Sequence, residues 1–176
     1  SLREYFCSGD QITRDTQREQ EYTRMLGEEI LQSFHKNNRV FASHLVAFTA
    51  FQLIRQKFPY LDLYNLLRIP EEDQLIRYED FQKALEQVRE EIFRQHRAGK
   101  VDISPHLKQD IDRVIEHGIN NVGLYHTRRP LLMDKEKNRI YTQDLNTLYY
   151  YHNRMVGYGL EKFFQQKPAR QQLIEE

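Results

Sequence analysis

The sequence predicts a mainly α-helical protein with a small β-hairpin, which is an α+β fold class. First, apolar residues recur every three or four positions through most of the chain, a spacing typical of amphipathic helices. Second, residues 123–143 instead combine two short strand-like segments with a polar turn. Third, the 176 residues are enough for one domain, or two small ones, with a sizeable buried core.

The first predicted element is a long helix from Ile12 to Asn37. Its apolar residues follow a helical period and stand among many charges: Ile12, Tyr22, Met25, Leu26, Ile30 and Phe34. Its first half is almost wholly polar, which predicts a solvent-bridging segment or a helix that packs on another protein part. We therefore assign residues 1–37 as a polar connecting helix.

The next element, VFASHLVAFTAFQLI from Val40 to Ile54, is the most apolar stretch of the chain. As a helix it is apolar nearly all round, which predicts a central buried helix. We expect Ser43 to cap its start and Pro59 to stop it. A short helix capped by Asp62 follows at residues 61–67.

A second clear helix spans Tyr78 to Ala98, where apolar residues form a single stripe and Gly99 is placed as the C-terminal cap. The alternating KVDIS predicts a short strand. SPHLKQDIDRVIEHG then predicts a helix that ends near Gly118.

The second half ends with a predicted hairpin and a helix. GLYHTRRPLLMD and NRIYTQ are predicted strands joined by the turn KEKN. Asp144 is expected to cap the final helix, which contains NTLYYYHNRMVGYG, and Gly157 and Gly159 are expected to end this helix or to allow close packing against it. The order strand, helix, hairpin, helix is typical of a winged-helix-like module, and also of other small α+β domains. We assign residues 38–166 to one α+β domain and residues 167–176 to a C-terminal tail that frays.

Within the final helix, the pattern predicts which side chains face the core. Leu148, Tyr151 and Met155 are expected to pack inward. Tyr150 and Arg154, four positions apart, are expected to stack on each other at the surface.

The composition excludes several classes of function. With 26 basic and 26 acidic residues, no overall field attracts the protein to nucleic acid or to an anionic membrane. Cys7 is the single cysteine, so the chain has no internal disulfide and no Cys-rich zinc cluster. HExxH, phosphate-loop and GxSxG motifs are also missing. We predict no metal, no cofactor and no catalytic residue in this chain.

The candidate binding residues are His126, Arg128 and Arg129. Two guanidiniums beside an imidazole are suited to bind a phosphate. Adjacent strand side chains point to opposite faces, however, so only one arginine can face a given ligand, and a plain surface strand is the favoured interpretation. His44, a candidate base, is more simply interpreted as a histidine held by a cap or a backbone carbonyl at the edge of the core.

The hairpin offers a possible contact surface for nucleic-acid phosphates through its basic residues. These are Arg128, Arg129, Lys135, Lys137 and Arg139. Asp134 and Glu136 on the same hairpin weaken that interpretation, and we expect nucleic acid not to be the partner.

Four stretches resemble one protein family. They are ITRDTQREQEYTRMLGEEI, NNRVFASHLVAFTAFQLIRQKFPYLDLYNLLRIPEED, IEHGINNVGLYHTRRPL and LNTLYYYHNRMVGYGLEKF. From about Ile12 to Phe164 the chain is similar to the region C-terminal to the catalytic domain in bacterial glycerol-3-phosphate or 1-acylglycerol-3-phosphate acyltransferases. In that family a His and an Asp, separated by four residues, carry catalysis, and the His is the general base on the glycerol hydroxyl.

This chain does not contain that pair. The residues five positions after its seven histidines are Val40, Thr49, Val101, Ile111, Val122, Leu131 and Gly157. The resemblance therefore implies a non-catalytic accessory domain of an enzyme that moves a fatty acyl group to glycerol phosphate in phospholipid synthesis.

The resemblance also implies a partner and a location. The partner is the acyltransferase catalytic domain of the same parent chain, and the location is cytoplasmic and peripheral at the inner face of the membrane. The alternative is a winged-helix-like nucleic-acid-binding or protein-interaction module.

Overall fold

The computed structural model describes residues 7–8, 11–12 and 15–165, with side chains from residue 15 onward except that of His35. The predicted tail, residues 167–176, lies outside the described residues. Six α-helices lie in the described part: α1 Thr16–Asn37, α2 Ala42–Lys57, α3 Leu63–Leu66, α4 Tyr78–Arg97, α5 Ile111–Asn121 and α6 Leu145–His152. The strands are short: β1 Cys7–Ser8, β2 Gln11–Ile12, β3 Arg39–Val40, β4 Ile76–Arg77, β5 Asp102–Ile103, β6 Leu132–Asp134 and β7 Arg139–Tyr141.

The core is built round α2, as its apolar composition predicts. From Leu45 to Phe51 every residue of this helix is buried. Helices α4, α5 and α6 all pack against α2 and surround it. Because burying a large apolar side chain is worth about 1.5–3 kcal/mol, these contacts are the main favourable term for folding.

Three small sheets complete the α+β fold. β1 pairs antiparallel with β2, and β3 pairs in parallel with β5. The third sheet is antiparallel with the order β4-β7-β6, and it contains the predicted hairpin. The hairpin is not a free wing, because Ile140 of β7 also pairs with Ile76 of β4.

Several predicted boundaries are confirmed by capping groups. The Asp62 carboxylate accepts from the Asn65 amide at the start of α3, and Asp144 accepts from Thr147 at the start of α6. Gly99 follows α4 with φ +69°, the left-handed conformation expected after a helix end. The two carboxylates pair with backbone amides that the start of a helix would otherwise leave unpaired, and the glycine lets the chain turn where α4 ends.

Two predicted helix starts are wrong. Helix α1 begins at Thr16 rather than Ile12, because Ile12 pairs in β2 and Asp15 caps the helix by accepting from Gln17 and Arg18. Helix α2 begins after Phe41, and its start has no side-chain cap, so Ser43 lies inside the first turn.

Gly118 does not end a helix. It lies inside α5, where a Cβ atom would come within 2.6 Å of Val46 Cγ1 and 2.9 Å of the Ala42 carbonyl oxygen. The glycine therefore lets α5 lie close against α2. The segment before it is also divided, since residues 105–108 form a 3-10 turn and α5 starts only at Ile111.

The predicted strand GLYHTRRPLLMD is extended only at its end, in β6. Gly123 has φ +63°, and its Cα lies so near the Pro130 ring that a Cβ would be 2.3 Å from Cδ. The His126 amide donates to the Gly123 carbonyl oxygen. Residues 123–130 are thus a compact loop, because the glycine turns the chain back onto the proline.

The last helix is shorter than predicted. Helix α6 stops at His152, residues 153–155 form a 3-10 turn, and Gly157 and Gly159 follow in a loop with φ +95° and +67°. Leu148 and Met155 are buried as predicted, and Tyr151 is half-buried. The Arg154 guanidinium lies 6.0 Å from the centre of the Tyr150 ring, so the predicted stacking pair is present at long range.

Replacing Gly118 with alanine is expected to lower the free energy of unfolding by about 1–3 kcal/mol, because the added methyl overpacks the contact between α2 and α5. The matched control is Gly27→Ala in α1, where a Cβ meets no atom within 4 Å. There alanine is expected to be neutral or stabilising by up to about 1 kcal/mol, since it is the better helix former. Urea unfolding measures both, and equal destabilisation would contradict the close helix contact.

Candidate functional site

The predicted binding residues His126, Arg128 and Arg129 do not converge. The Arg128 guanidinium pairs with Glu71 at 3.2 Å, whereas that of Arg129 donates to the Asn120 carbonyl oxygen at 3.4 Å. The His126 ring is exposed and meets the Tyr151 ring edge-on at 5.9 Å. Each side chain thus has its own neighbour in a different element outside the loop, and these contacts give no support to a shared phosphate site.

The basic residues of the hairpin are largely compensated by acidic neighbours. Lys135 pairs with Glu116 at 3.1 Å, and Arg139 pairs with Asp134 at 3.2 Å. Together with the Arg128 pair, these contacts remove most of the positive field that nucleic-acid binding needs. The hairpin therefore gives little support to the nucleic-acid alternative.

His152 is a core histidine. Its ring stacks on Phe48, with centroids 5.0 Å apart and planes 3° from parallel. The Gln52 amide donates to Nε2 at 2.9 Å, so the ring proton is on Nδ1, which lies 3.2 Å from the Asn153 side-chain oxygen. Burial lowers the pKa of His152 to about 4, with a smaller contribution from the charge of Arg55. This side chain is neutral at pH 7 and packs like an aromatic residue.

His44 occupies the edge of the core, but not in the predicted way. Its ring meets Phe41 edge-on at 5.3 Å, and its buried Nδ1 has no hydrogen-bond partner in the described part of the chain. The expected cap or carbonyl contact to this atom is therefore wrong. Burial and, to a smaller extent, the charge of Arg154 lower the pKa of His44 to about 4.

The remaining described histidines have structural neighbours. His96 lies 2.9 Å from the Val101 carbonyl oxygen, and His106 stacks on His117 with ring centroids 4.1 Å apart. The hydrogen bonds of the described histidine rings, which exclude His35, go to amides and carbonyl oxygens rather than to carboxylates. A base held by a carboxylate, the usual arrangement for proton transfer, does not occur among them.

Helix α1 is the least buried of the described α-helices. Asp15 caps it, and an Arg24–Glu28 pair at 2.6 Å supports its middle. All its described side chains are exposed except that of Tyr22. Its large apolar side chains are 42–70% exposed: Met25, Leu26, Ile30, Leu31 and Phe34. Leu26, Ile30 and Phe34, spaced by four, form one apolar face, which we call the α1 face.

The last turns of α1 lie over the body of the domain and border two open cavities, each of about 700 Å³. The first, the Phe34 cavity, is lined by Ile30 and Phe34 on one side and by Arg154 and Val156 on the other. The second, the basic groove, is lined by Lys36, Arg94, Lys100 and the Gly157–Gly159 loop.

Tyr158 separates the two cavities and lines both of them. Its hydroxyl accepts from the Asn38 amide at 2.9 Å, and its carbonyl oxygen accepts from Gln95 at 2.8 Å. Sequence reasoning missed these cavities because their walls come from three distant stretches of the chain. The available signals were the apolar spacing of α1 and the two glycines after α6.

Other kinds of site and other proteins give no further guide to function. Among the described residues, no three His, Cys, Asp or Glu side chains are placed to hold a metal ion. None of the described helices has the length and apolar content to cross a bilayer. Comparison with known protein families, curated proteins and solved structures finds no match.

Stability is expected to fall between pH 7 and pH 4.5 because of His44 and His152. Both have a folded pKa of about 4 against 6.5 when unfolded, so the unfolded chain takes up protons first as the pH is lowered. Above pH 6.5 the two neutral rings make their full contribution to the free energy of unfolding. This contribution is lost as the pH falls toward 4, and the loss at pH 4.5 is about 2–3 kcal/mol per histidine.

Urea unfolding of the chain and of His152→Gln at the two pH values measures this effect. The variant is expected to show a pH-dependent loss smaller by about 2–3 kcal/mol, whatever its stability at pH 7. The hydrogen bond from Arg94 lowers the folded pKa of Glu91 to about 2, but this carboxylate is present in both proteins, so its contribution cancels in their difference. An unchanged pH dependence in His152→Gln would contradict the assignment of a neutral, buried ring.

Proposed function

We propose that this chain is a non-catalytic accessory domain of an acyltransferase that moves a fatty acyl group to glycerol phosphate in phospholipid synthesis. Its partner in this proposal is the catalytic domain of the same parent chain. Two observations support the proposal. Residues 12–164 resemble the region that follows the catalytic domain in such enzymes, and the α1 face is exposed.

The α1 face carries the proposal. Leu26, Ile30 and Phe34 are 42%, 47% and 70% exposed, although α2, α4, α5 and α6 already form a closed core without them. A helix of this polarity gains most of its stability in proteins from packing its apolar face. An apolar face that the domain's own core does not use is suited to dock on another domain.

The described histidines support a non-catalytic role. His44 and His152 have lowered pKa values but no carboxylate partner, and the Gln52 and Asn153 amides hold His152 in one orientation. The proposal therefore leaves acyl transfer to the catalytic domain and gives this chain a supporting role.

The proposed location is the cytoplasm, at the inner face of the membrane, where an enzyme of phospholipid synthesis meets its product. Membrane contact in this proposal comes through the parent enzyme. The acidic balance of α1, with Glu19, Glu21, Glu28 and Glu29 against three basic side chains, disfavours direct binding of this helix to an anionic bilayer.

The isolated 176-residue chain is expected to fold cooperatively and to show no acyl transfer from an acyl thioester to glycerol 3-phosphate. Its core is closed, and the His–Asp pair that the related enzymes need is missing from its sequence. Circular dichroism with thermal unfolding tests the first expectation, and a radiolabelled acyl-transfer assay tests the second. Turnover by the purified chain would contradict the accessory role.

In the parent enzyme, Ile30→Asp is expected to weaken docking of this domain at least tenfold, about 1.4 kcal/mol, because it puts a charge on the α1 face. The matched control is Met25→Asp, since Met25 is similarly exposed but lies about 140° round the helix from Ile30. Co-purification of separately expressed catalytic and accessory parts measures docking, and turnover of the intact enzyme measures its consequence.

The two substitutions separate this proposal from a general protein-interaction module. Docking and turnover that fall for Ile30→Asp but not for Met25→Asp support it. Unchanged co-purification and turnover in Ile30→Asp would contradict docking of the α1 face on the catalytic domain.

A further inference from the structure

The basic groove concentrates positive charge where two helices end. Lys36 lies in the last turn of α1, and Lys100 lies three residues beyond the end of α4. Neither lysine forms an ion pair within the described residues. Arg94 lines the same groove, and none of the described residues that line it is an aspartate or a glutamate.

One buried carboxylate close to the groove does not cancel this charge. Glu91, 8% exposed, pairs with Arg94 at 2.5 Å and with Lys162 at 3.4 Å. Two cations thus share one carboxylate, and one positive charge remains there besides the two lysines. The carboxyl ends of α1 and α4 contribute only about half a negative charge each, so the local balance stays positive.

The walls of the groove leave backbone accessible between these cations. Gly99, Gly157 and Gly159 line it, each with a positive φ, and a Cβ built on Gly99 or Gly159 meets no atom within 4 Å. A ligand can therefore approach the main chain closely at these residues. The Gln32 amide on α1 adds a neutral donor to the same wall.

The size and charge of the groove indicate the chemical class of ligand. Its volume of about 700 Å³ falls within the range of small-molecule sites, about 300–1,000 Å³, so it holds more than a bare ion. A phosphate monoester carries about −1.5 to −2 charges at pH 7, which matches the uncompensated lysines better than one carboxylate does.

We infer that the basic groove binds a phosphate monoester between Lys36, Lys100 and the glycine loop, presented either by a soluble molecule or by a lipid headgroup. The Phe34 cavity on the far side of Tyr158 adds apolar surface next to the site. This inference does not depend on the parent enzyme, because every group it uses belongs to the described residues of this chain.

The test is a titration of the ¹⁵N-labelled chain with phenyl phosphate, followed by nuclear magnetic resonance of its glycine amides. The Gly99, Gly157 and Gly159 signals are expected to shift saturably, whereas Gly27 and Gly118, which lie outside the groove, stay in place. Lys36→Gln/Lys100→Gln is expected to weaken binding at least about tenfold, since it removes both uncompensated amines. The matched control is Lys108→Gln/Lys137→Gln, which removes two exposed lysines elsewhere.

A second arm distinguishes the source of the phosphate. Flotation with phosphatidylcholine vesicles, with and without phosphatidic acid, tests a lipid headgroup. Saturable shifts with phenyl phosphate identify a site for a soluble ester, and vesicle binding that needs both phosphatidic acid and the two groove lysines identifies a headgroup site. The inference would be overturned if neither of these results were obtained, or if the control variant weakened binding as much as the groove variant.

Discussion

Burial of α2 is the constraint on which the rest of the structure depends. Its side chains from Leu45 to Phe51 are apolar apart from Thr49, and all are buried, so these two turns of the helix have no face for water. Helices α4, α5 and α6 must therefore surround it, and each presents an apolar stripe to do so. Gly118 allows one of these contacts to be close, and His152 completes another by stacking on Phe48.

The same arrangement explains why α1 remains apart. Once α4, α5 and α6 enclose α2, the core has no further surface for the α1 face, and Leu26 and Phe34 stay exposed. The chain leads directly from α1 into β3, where Arg39 and Val40 pair with β5. The last turns of α1 are held near the body, with the Asn38–Tyr158 hydrogen bond at their base. The two cavities beside Tyr158 result from this incomplete packing.

The sequence predicts those elements whose signals are local. The all-round apolar α2, the stripe of α4 with Gly99 after it, and the Asp62 and Asp144 caps each depend on a few neighbouring residues. Two of the wrong predictions concern glycine, because it serves either to end a helix or to admit a close neighbour. Gly118 and Gly123 both have the second role, and their partners, Val46 and Pro130, are known only from the folded chain.

The candidate site was predictable only in part, for the same reason. The polar first half of α1 predicts a helix that bridges solvent or packs on another protein part, and the structure leaves the apolar residues of this helix exposed. The basic groove, in contrast, needs Lys36, Lys100 and Gly157 to meet, and nothing in a linear sequence places them together. Arg128 and Arg129 show the opposite case, because they are adjacent in the sequence but contact different residues in the folded chain.

Hydrogen exchange of the backbone amides tests most directly the claim that a closed core round α2 leaves α1 for a partner. In the isolated chain, the amides of α2 are expected to exchange only through global unfolding, whereas those of α1 from Tyr22 to Phe34 exchange through local opening. In the parent enzyme the α1 amides are expected to become protected while those of α2 keep their rates. Protection of α1 equal to that of α2 in the isolated chain would contradict the account.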